Sequence, residues 1–574
     1  MNLSTITLPQ TPSDVEIAED ATNTFAAKDR DFTVALPDEL LMQIFIVYQN
    51  WTRIHFDGPR PIWLIITQIC RRWRNIALAF PIYWNVVPTY HLGCTEAMIS
   101  RSQNVPVSID FSIKRWNQVD TIPPGAEIAL QQVHRASNIH IFLNRGAIDQ
   151  VVERLNDAQM PLLTEFKLIF KRGNTNVLES YDLPVSFLRA DHAPLLSAMR
   201  LSHCGLSFDT VVPPNNITRL EFAHIPRLRR PTTSRYRDLL SGMPQLEVFI
   251  VDYAGPLLDD LASDRKVSLP CLRHLTLVDT IRSCVTFGHH LDLPSSASLR
   301  LLAVQDIAPG SAEFGLAASL ERDIVNLVDQ HCAGWRKERA AASEELTTLH
   351  IDESLFMSLS VRLGGDDMEA EAPPLSRASP AYDIAVSWPR VPEFPRVAAA
   401  VLMSRLCDSL PTMHVHTMRV DGPFSISARR WNVTFGAMER VRAVSLVGDA
   451  VYGFVEAFSQ FDTKHSGSYN SSRLFPALDD LTIDCAELVG ADGQSAIYDA
   501  LKDGLRRRRE SRDGKKMDLH IPGRVLPGSQ ADELAVDANV DRLPKSAASV
   551  PDIHFPHDPG FSGQIYHDGD LDGI

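Results

Sequence analysis

One spacing of apolar residues, apolar-x-x-apolar-x-apolar, returns along most of the chain. Its copies are Leu163-Phe166-Leu168, Leu196-Met199-Leu201, Ile217-Leu220-Phe222, Leu246-Phe249-Val251, Leu272-Leu275-Leu277, Leu299-Leu302-Val304, Leu346-Leu349-Ile351, Val415-Met418-Val420, Val441-Val444-Leu446, Leu478-Leu481-Ile483 and a weaker Leu519-Ile521. Residues two apart in a β-strand point to the same face, so each copy predicts a short strand with one buried face. Their recurrence predicts similar units that bury these faces against their neighbours.

Two further features join these copies into one class of repeat. Five copies are preceded by apolar-Pro-x-Leu, at Met160-Pro161, Ala193-Pro194, Met243-Pro244, Leu269-Pro270 and Phe475-Pro476. One copy extends to Leu196-x-x-Met199-x-Leu201-x-x-Cys204-x-Leu206, which resembles the leucine-rich repeat consensus, with Cys204 at the position where the backbone turns out of the strand. The resemblance implies an irregular α/β solenoid with a parallel sheet.

The repeats differ in length. The last apolar positions of successive copies are 21 residues apart between Leu201 and Phe222 but 69 apart between Ile351 and Val420, whereas regular leucine-rich repeats hold about 20 to 29 residues. Spacing predicts a helix within 312–342, with Leu320, Ile324 and Leu327 on one side. The segment 364–382 shows no periodicity and predicts a mobile acidic loop. A mixed α/β domain with many strands is the alternative to a solenoid.

Before the repeats, the segment from Leu36 to Trp84 carries helical spacing. Its first half places Leu40, Ile44 and Tyr48 four residues apart, with Leu41 and Phe45 widening the stripe. The second half places Ile69, Trp73, Ile76, Ala77 and Phe80 on one face and Arg71, Arg72 and Arg74 on the other. Two or three short helices make a poor core of their own, so a leftover apolar face predicts a partner.

Particular residues of this segment match a known family. They are Leu36-Pro37, Glu39-Leu40, Ile44-Phe45, Cys70-Arg71-Arg72-Trp73-Arg74, Pro81 and Trp84, and in this order they resemble an F-box, particularly the F-box-like domains common in fungal proteins. The resemblance implies a small all-α module that docks on the Skp-type adaptor of a cullin–RING ubiquitin ligase. The positions it assigns to adaptor contact are Leu36, Pro37, Leu40, Ile44, Ile69, Cys70 and Trp73. The connection Gln49 to Pro59 is longer than in a compact F-box, and an ordinary helical pair at a domain edge is the alternative.

These patterns predict four regions. Residues 1–33 are expected to be a flexible lead-in, 34–90 the F-box-like domain, 91–521 the repeat domain, and 522–574 a disordered acidic tail. Met98 to Phe111 predicts helix, turn and strand, and we assign it to the unit that caps the first end of the repeats.

Composition narrows the class of protein. A formal charge of −15 argues against broad affinity for nucleic acid or anionic membranes. Eight scattered cysteines without a C-x-x-C pair suit a reducing compartment. Residues 1–30 lack the apolar core of a signal peptide, and no apolar run is long enough to span a bilayer. We therefore expect a soluble protein of the cytoplasm, the nucleus or both.

The chain carries none of the common signatures of catalysis. It contains no G-x-S-x-G, Walker lysine loop, G-x-G-x-x-G or H-E-x-x-H. The histidines at 289–290, 331, 414, 416, 554, 557 and 567 lack a ligand set, so no metal or cofactor is predicted. The basic run Arg506 to Arg509 is expected to be the solvated side of a helix, with a nuclear localisation signal as the alternative.

These observations lead to an expected function. The chain is expected to be a non-enzymatic substrate-recognition subunit of a Skp–cullin–F-box ubiquitin ligase, whose repeats bind an unknown protein target. A scaffold without ubiquitin transfer and an enzyme with an unrecognised site are the alternatives. Residues between the inward apolar positions would point out of the concave sheet and contact the target. They are Arg200, Glu221, Ile250, Thr276, Ala303, His350, Arg419, Ser445 and Thr482, of which Arg200, Glu221, Thr276, His350 and Arg419 are the principal candidates.

Overall fold

The fold is that of a computed structural model, which describes most of the chain between residues 36 and 543. The described ranges are 36–55, 61–112, 122–143, 145–170, 181–184, 187, 189–206, 215–257, 266–304, 317–338, 346–354, 358–365, 381–387, 396–422, 426–460, 474–485, 488, 495–522 and 528–543. The predicted lead-in 1–33, most of the predicted loop 364–382 and the last part of the predicted tail therefore lie outside the described residues.

The N-terminal part is a helical unit with its own core. Its helices are α1 (Asp38–His55), α2 (Ile66–Ile69) and α3 (Arg71–Ala79), with short 3-10 turns at Ile62–Ile65 and Pro81–Trp84. Leu41, Phe45 and Trp84 are among the buried residues of this core, which is separate from the core of the sheet. The hydroxyl of Tyr83 donates to the Trp63 carbonyl at 2.7 Å, which satisfies the polar end of a buried ring. Helix α1 also takes up the first part of the long connection that the sequence places at 49–59.

The rest of the described chain forms one mixed α/β sheet structure. Its strands are β1 (Val86–Pro88), β2 (Val107–Ser112), β3 (Ala136–Leu143), β4 (Glu165–Phe170), β5 (Tyr181–Leu183), β6 (Ala198–Ser202), β7 (Cys204–Leu206), β8 (Arg219–Ala223), β9 (Val248–Asp252), β10 (Val267–Ser268), β11 (His274–Thr280), β12 (Leu291–Asp292), β13 (Ser298–Val304), β14 (Thr348–Ser354), β15 (Ser358–Gly364), β16 (Tyr382–Ser387), β17 (Thr417–Gly422), β18 (Ala443–Gly448), β19 (Asp480–Asp484), β20 (Met517–Pro522) and β21 (Ala538–Leu543). Seventeen of them make a single sheet, and β5–β7 and β10–β12 make two small parallel pairs. From β1 to β13, each strand of the main sheet pairs in parallel with the next one along the chain. This is the leucine-rich-repeat-like solenoid that the sequence predicts.

Helices connect the strands and cover one face of the sheet. They are α4 (Leu92–Ser102), α5 (Pro124–Leu130), α6 (Arg145–Asn156), α7 (Thr233–Ser241), α8 (Ile281–His289), α9 (Ala317–Glu338), α10 (Arg396–Ser409), α11 (Ala428–Phe435), α12 (Ala450–Ser459), α13 (Ala496–Ser511) and α14 (Gly528–Leu534). Apart from Met98 of α4, which belongs to the core of the N-terminal unit, nearly all of their buried apolar side chains share one core with the inward residues of the strands. Helix α12 comes so close to residues 426–427 that a Cβ at Gly453 would overlap the Ile426 carbonyl oxygen.

The recurring apolar-Pro-x-Leu segment is a tight turn before a strand. In each of the five copies the leucine N–H donates to the carbonyl of the apolar residue three positions earlier, at 3.1 to 3.2 Å. Proline follows that apolar residue, at the turn position where its fixed φ is favourable. Both the first apolar residue and the leucine are buried in every copy. The shared motif is therefore a repeated way of entering a strand.

The parallel order is broken once, in the middle of the sheet. Strand β13 pairs in parallel with β16, β16 pairs antiparallel with β15, β15 pairs antiparallel with β14, and β14 then pairs in parallel with β17. Strand β15 is thus the one strand of the main sheet, among the described residues, that runs against the others. From β17 to β21 the strands again follow one another in parallel.

Three predictions about the strands need correction. The copy Leu299-Leu302-Val304 was assigned the wrong register, because the buried residues of β13 are Leu299, Leu301 and Ala303. Ala303 therefore points into the core and cannot contact a target. The first strand of the sheet already lies at 86–88, inside the predicted helical domain.

The predicted disordered tail also begins too early. Helix α14 and strand β21 lie within 528–543, beyond the expected end of the repeats at 521, and they extend the sheet by one strand. Leu534 and Ala538 are buried there. The sequence is rich in polar residues in this stretch, but a few inward apolar side chains are enough for a last strand that pairs along only one edge.

We expect truncation to distinguish the two parts of the C-terminal region. A chain ending at Leu543 should keep the melting temperature of the full chain. A chain ending at Pro522 should lose about 2 to 3 kcal/mol of unfolding free energy, because Leu534 and Ala538 are removed and β20 loses its outer neighbour. Tyr498 would also lose the carbonyl of Gln530 that its hydroxyl contacts at 2.9 Å. Equal melting temperatures for the two truncated proteins would contradict this account.

Candidate functional sites

Helix α1 presents a second apolar stripe on its exposed side. The exposed strip consists of Leu40, Ile44, Val47 and Trp51, together with the half-buried Tyr48, at helical spacings of three and four residues. Leu40 is 44% exposed and Ile44 is 48% exposed, while Leu41 and Phe45 on the opposite side are fully buried. Together with Leu36 and Gln43, the strip lines an open groove of about 540 Å³. Large apolar side chains grouped on one exposed surface are typical of interaction sites, so the strip is a candidate docking surface.

The seven residues that the F-box resemblance assigns to partner contact differ in solvent exposure. Pro37, Leu40, Ile44 and Ile69 are exposed, so they are available to a partner. Leu36, Cys70 and Trp73 are half-buried.

Two of the half-buried residues are also used by the fold. The Trp73 ring packs on Phe45 at a centroid distance of 5.0 Å, and the Cys70 sulfur accepts the Trp73 N–H at the start of α3. Val47 and Trp51 were missed, although they continue the same helical spacing one and two turns further on.

The second candidate surface is the face of the sheet opposite to the helices, which we call the open face. A row of residues in register crosses it, and we call this the central row. Its members are Asp110, His140, Lys167, Arg200, Glu221, Ile250, Thr276, Arg300, Asp383, Arg362, His350, Arg419, Ser445, Thr482, His520 and Asp541. Neighbouring strands lie about 4.8 Å apart, so successive side chains of the row are close enough to interact.

Ion pairs link residues of the row to one another across strands and to flanking residues of the same strand. Arg300 lies 3.0 Å from Asp383, and Lys167 lies 2.6 Å from Glu165. The nearest nitrogen of Arg200 lies 3.0 Å from Glu221, at an angle too bent for a hydrogen bond. The His140 ring, whose Nε2 lies 3.4 Å from a Glu165 carboxylate oxygen, and the Lys167 ammonium group outweigh the opposing effect of burial and lower the pKa of Glu165 to about 2. Glu165 is therefore charged at neutral pH.

His350 occupies the centre of the densest cluster, where the strand order is broken. Its Nδ1 accepts a hydrogen bond from Arg362 at 2.8 Å, so the proton is on Nε2, which faces Asp421 at 3.2 Å. Arg419 also donates to Asp421, at 2.8 Å. Burial alone would raise the pKa of Asp421, but His350 and Arg419 outweigh it and leave that pKa below its ordinary value.

The principal target-binding candidates all lie in the central row. The structure brings Arg200 and Glu221 together as a pair, and His350 and Arg419 meet at Asp421. Thr276 lies between these two groups. Glu221 points to the open face but is largely enclosed by Arg200 and Arg219. Its side chain is thus a support for the two arginines rather than a free contact.

Between Arg200 and Thr482, sequence reasoning missed Arg300, Arg362 and Asp383 of the row. The members on the strands at either end, Asp110, His140, Lys167, His520 and Asp541, were not predicted either. Arg300 was lost because of the register error in β13. Arg362 and Asp383 belong to β15 and β16, whose positions depend on the reversed pairing. The alternation in Ser358–Gly364 and Tyr382–Ser387 is the signal that identifies them as strand residues facing the same way.

At one end of strands β8, β9 and β11 a buried ion pair holds the sheet together. Arg230 contacts Asp279 at 2.9 Å and also donates to the carbonyls of Ile225 and Tyr253. Asp279 accepts the N–H groups of Gly255 and Thr280, each at 2.8 Å. Because these contacts join successive repeats, they fix the strands that carry the middle of the central row.

The basic run on α13 is mostly used within the fold. Arg507 donates to the Ser459 carbonyl, Arg508 is buried and donates to the carbonyls of Leu474 and Phe475, and Arg509 contacts Asp537 at 3.1 Å. The expectation that this run is a solvated helix side is wrong for Arg508. On the inward side of the same helix, Leu501 and Leu505 are buried.

Neither a metal site nor a membrane span is found in the ranges that the structure describes. No group of three or more His, Cys, Asp or Glu residues there has the arrangement to hold a metal ion. Nor does any helix in those ranges have both the length and the apolar character needed to cross a bilayer.

Comparison with known proteins gives no family. No protein-family model matches the chain, and neither does any curated protein. Among solved structures, the chain is similar to a leucine-rich repeat protein from Leptospira interrogans, with 10% sequence identity and a TM-score of 0.29. The match covers 76% of this chain and 96% of that one. The repeat architecture described above rests on the strand pairing of this chain itself.

Proposed function

We propose that this chain is the target-recognition subunit of a Skp–cullin–F-box ubiquitin ligase. The observation that carries the proposal is the exposed strip of α1. Leu40 and Ile44, two of the residues that match adaptor-facing positions of an F-box, remain exposed while Leu41 and Phe45 form the core. A helix that buries one apolar stripe and leaves a second one exposed suits a module that docks on another protein.

The open face of the sheet is the proposed surface for the target. It carries charged and polar side chains of both signs, which suit a specific protein surface better than a lipid or a polyanion. On this proposal the chain performs no catalysis. Other subunits transfer ubiquitin, and this chain supplies proximity and orientation by holding the target near them. The cytoplasm or the nucleus would be its location.

Co-purification with the adaptor tests the first half of the proposal. The full chain is co-expressed with a Skp-type adaptor, and the adaptor should be retained in about equal amount on affinity purification of the chain. Failure of the adaptor to co-purify would rule out the F-box assignment and leave a repeat protein with another role.

Turnover of a bound protein tests the second half. Proteins captured by the chain are identified under proteasome blockade, and at least one should accumulate when the cullin is depleted. A scaffold that uses the adaptor without ubiquitin transfer is the second candidate. It would be favoured if the adaptor binds and no captured protein changes in abundance.

A further inference from the structure

In several charged pairs of the open face, the cationic side chain is more exposed to solvent than the carboxylate. In the pair Arg200–Glu221 the arginine side chain is 33% exposed and the glutamate 10%, and in Arg300–Asp383 the values are 49% and 13%. The same order holds for Arg419 over Asp421 and for Lys167 over Glu165. The carboxylates therefore lie beneath, and the cationic groups form the outer layer.

This arrangement leaves hydrogen-bond donors directed outward. A guanidinium group has five N–H donors, and one ion pair uses only one or two of them. The carboxylate underneath restrains the arginine, so less side-chain entropy is lost when a second anionic group binds from solvent. The N–H groups that stay free on a guanidinium lie in one plane and can bind both oxygens of a second carboxylate.

The outward cations fall into two groups along the sheet. Lys167, Arg200 and Arg219 lie on the adjacent strands β4, β6 and β8, whereas Arg300 and Arg419 lie on β13 and β17. Arg362 on β15 is 25% exposed, the same as its partner Asp352, so it is not part of the outer layer. Between the two groups the row has the uncharged, half-buried Ile250 and Thr276. Four strand spacings separate Arg200 from Arg300, which is about 19 Å. An extended peptide covers that distance in about six residues.

The far end of the open face has the opposite character. Asp480, Asp484, Asp518 and Asp541 lie on β19, β20 and β21, where His520 is the basic member of the central row. These residues would repel an acidic ligand, so they limit its position to the strands from β4 to β17. The same acidic end, with the formal charge of −15, disfavours a long polyanion such as a nucleic acid.

We propose that the open face binds an extended protein segment with two acidic clusters about six residues apart and small uncharged residues between them. One cluster contacts Arg200 and Arg219, the other contacts Arg300, and the spacer lies along Ile250 and Thr276. This names the chemical class of the target. It rests on the proposed role of the open face, but it does not depend on the adaptor, so the two proposals fail separately.

The test uses the full-length chain and synthetic peptides. Binding of a fluorescent peptide EESVASEE is measured by anisotropy in low salt. Its matched peptides are QQSVASQQ, without charge, and EEEESVAS, with the same composition but all acids at one end. We expect saturable binding of EESVASEE that weakens as salt is added, at least fivefold weaker binding of EEEESVAS, and none of QQSVASQQ.

Variants assign the binding to the named residues. The double variant Arg200→Gln, Arg300→Gln should bind EESVASEE at least tenfold more weakly. The variant Arg200→Lys, Arg300→Lys keeps the charges but loses the planar guanidinium groups. Its affinity for EESVASEE should lie between that of the Gln variant and that of the wild type. The control Arg154→Gln, Arg506→Gln removes two arginines that are likewise paired with single acids, on helices α6 and α13, and should bind within twofold of the wild type.

Two outcomes overturn the proposal, provided that the variants melt within a few degrees of the wild type and still retain the adaptor if the wild type does. One is equal binding by the Gln variant and the control. The other is no saturable binding of any acidic peptide up to millimolar concentration. Binding of a phosphoserine version of the peptide without binding of EESVASEE would overturn the carboxylate assignment and indicate a phosphorylated target.

Discussion

Replacement of Asp279 by alanine is expected to lower the free energy of unfolding by about 3 to 5 kcal/mol. The Asp279 side chain is 3% exposed and that of Arg230 is 16% exposed. Loss of the carboxylate leaves the enclosed guanidinium charge uncompensated, and the N–H groups of Gly255 and Thr280 lose their acceptor. We expect the same substitution to loosen the ends of β8, β9 and β11. Urea denaturation followed by circular dichroism measures the change.

The neighbouring arginine provides a matched control. Arg229 pairs with Asp182 at 2.7 Å, and about half of each side chain is exposed. Asp182→Ala should therefore cost less than about 1 kcal/mol, since solvent and salt screen an exposed pair. If Asp279→Ala and Asp182→Ala destabilise the protein equally, the buried pair does not hold the repeats together as described.

The double variant Leu40→Glu, Ile44→Glu is expected to abolish retention of a Skp-type adaptor while the sheet remains folded. Truncation of a well-packed anchor at an interface costs about 2 kcal/mol or more, and a buried, unpaired carboxylate adds to that cost. Both side chains are exposed in the free chain, so the change places charge in water and leaves the core of α1 intact. Affinity purification after co-expression measures the retained adaptor, and thermal melting monitors the fold.

The choice of residues matters for this experiment. Trp73→Ala would also remove the packing on Phe45 within the helical core, so loss of binding by that variant would not separate docking from folding. Val433→Glu on α11 is the control, because Val433 is equally apolar, exposed and helical but distant in sequence from the strip. Undiminished adaptor binding by the double variant would refute the docking role of the strip.

For most of the repeats, the spacing of apolar residues is sufficient to predict which strand residues are buried. In most copies only one alternating set of positions is apolar, so a single register buries the apolar side chains, as in Leu478, Leu481 and Ile483. The stretch Leu299 to Val304 has apolar residues on both faces of the strand. There the pattern allows two registers, and packing against the helices selects Leu301 and Ala303.

The reversed strand in the middle of the sheet could not be predicted. Alternation along Ser358–Gly364 indicates a strand, but it reads the same in either direction. Strands β14 and β15 are consecutive and pair locally. The pairing of β13 with β16 and of β14 with β17 depends instead on contacts that are distant along the chain. For this reason the cluster around His350 was only partly visible in the sequence, as single residues without their neighbours.

The sequence by itself determined the repeated strands, the turns that lead into them and the helical character of the N-terminal unit, because each depends on local spacing and on proline geometry. Only the tertiary structure decided which apolar stripe of α1 becomes core and which stays exposed, since both stripes have helical spacing and their fates depend on what α3 and Trp84 cover. It also decided that the carboxylates of the open face lie beneath the arginines. That order arises from side-chain length and cross-strand register, which bring charges together only after the sheet has formed.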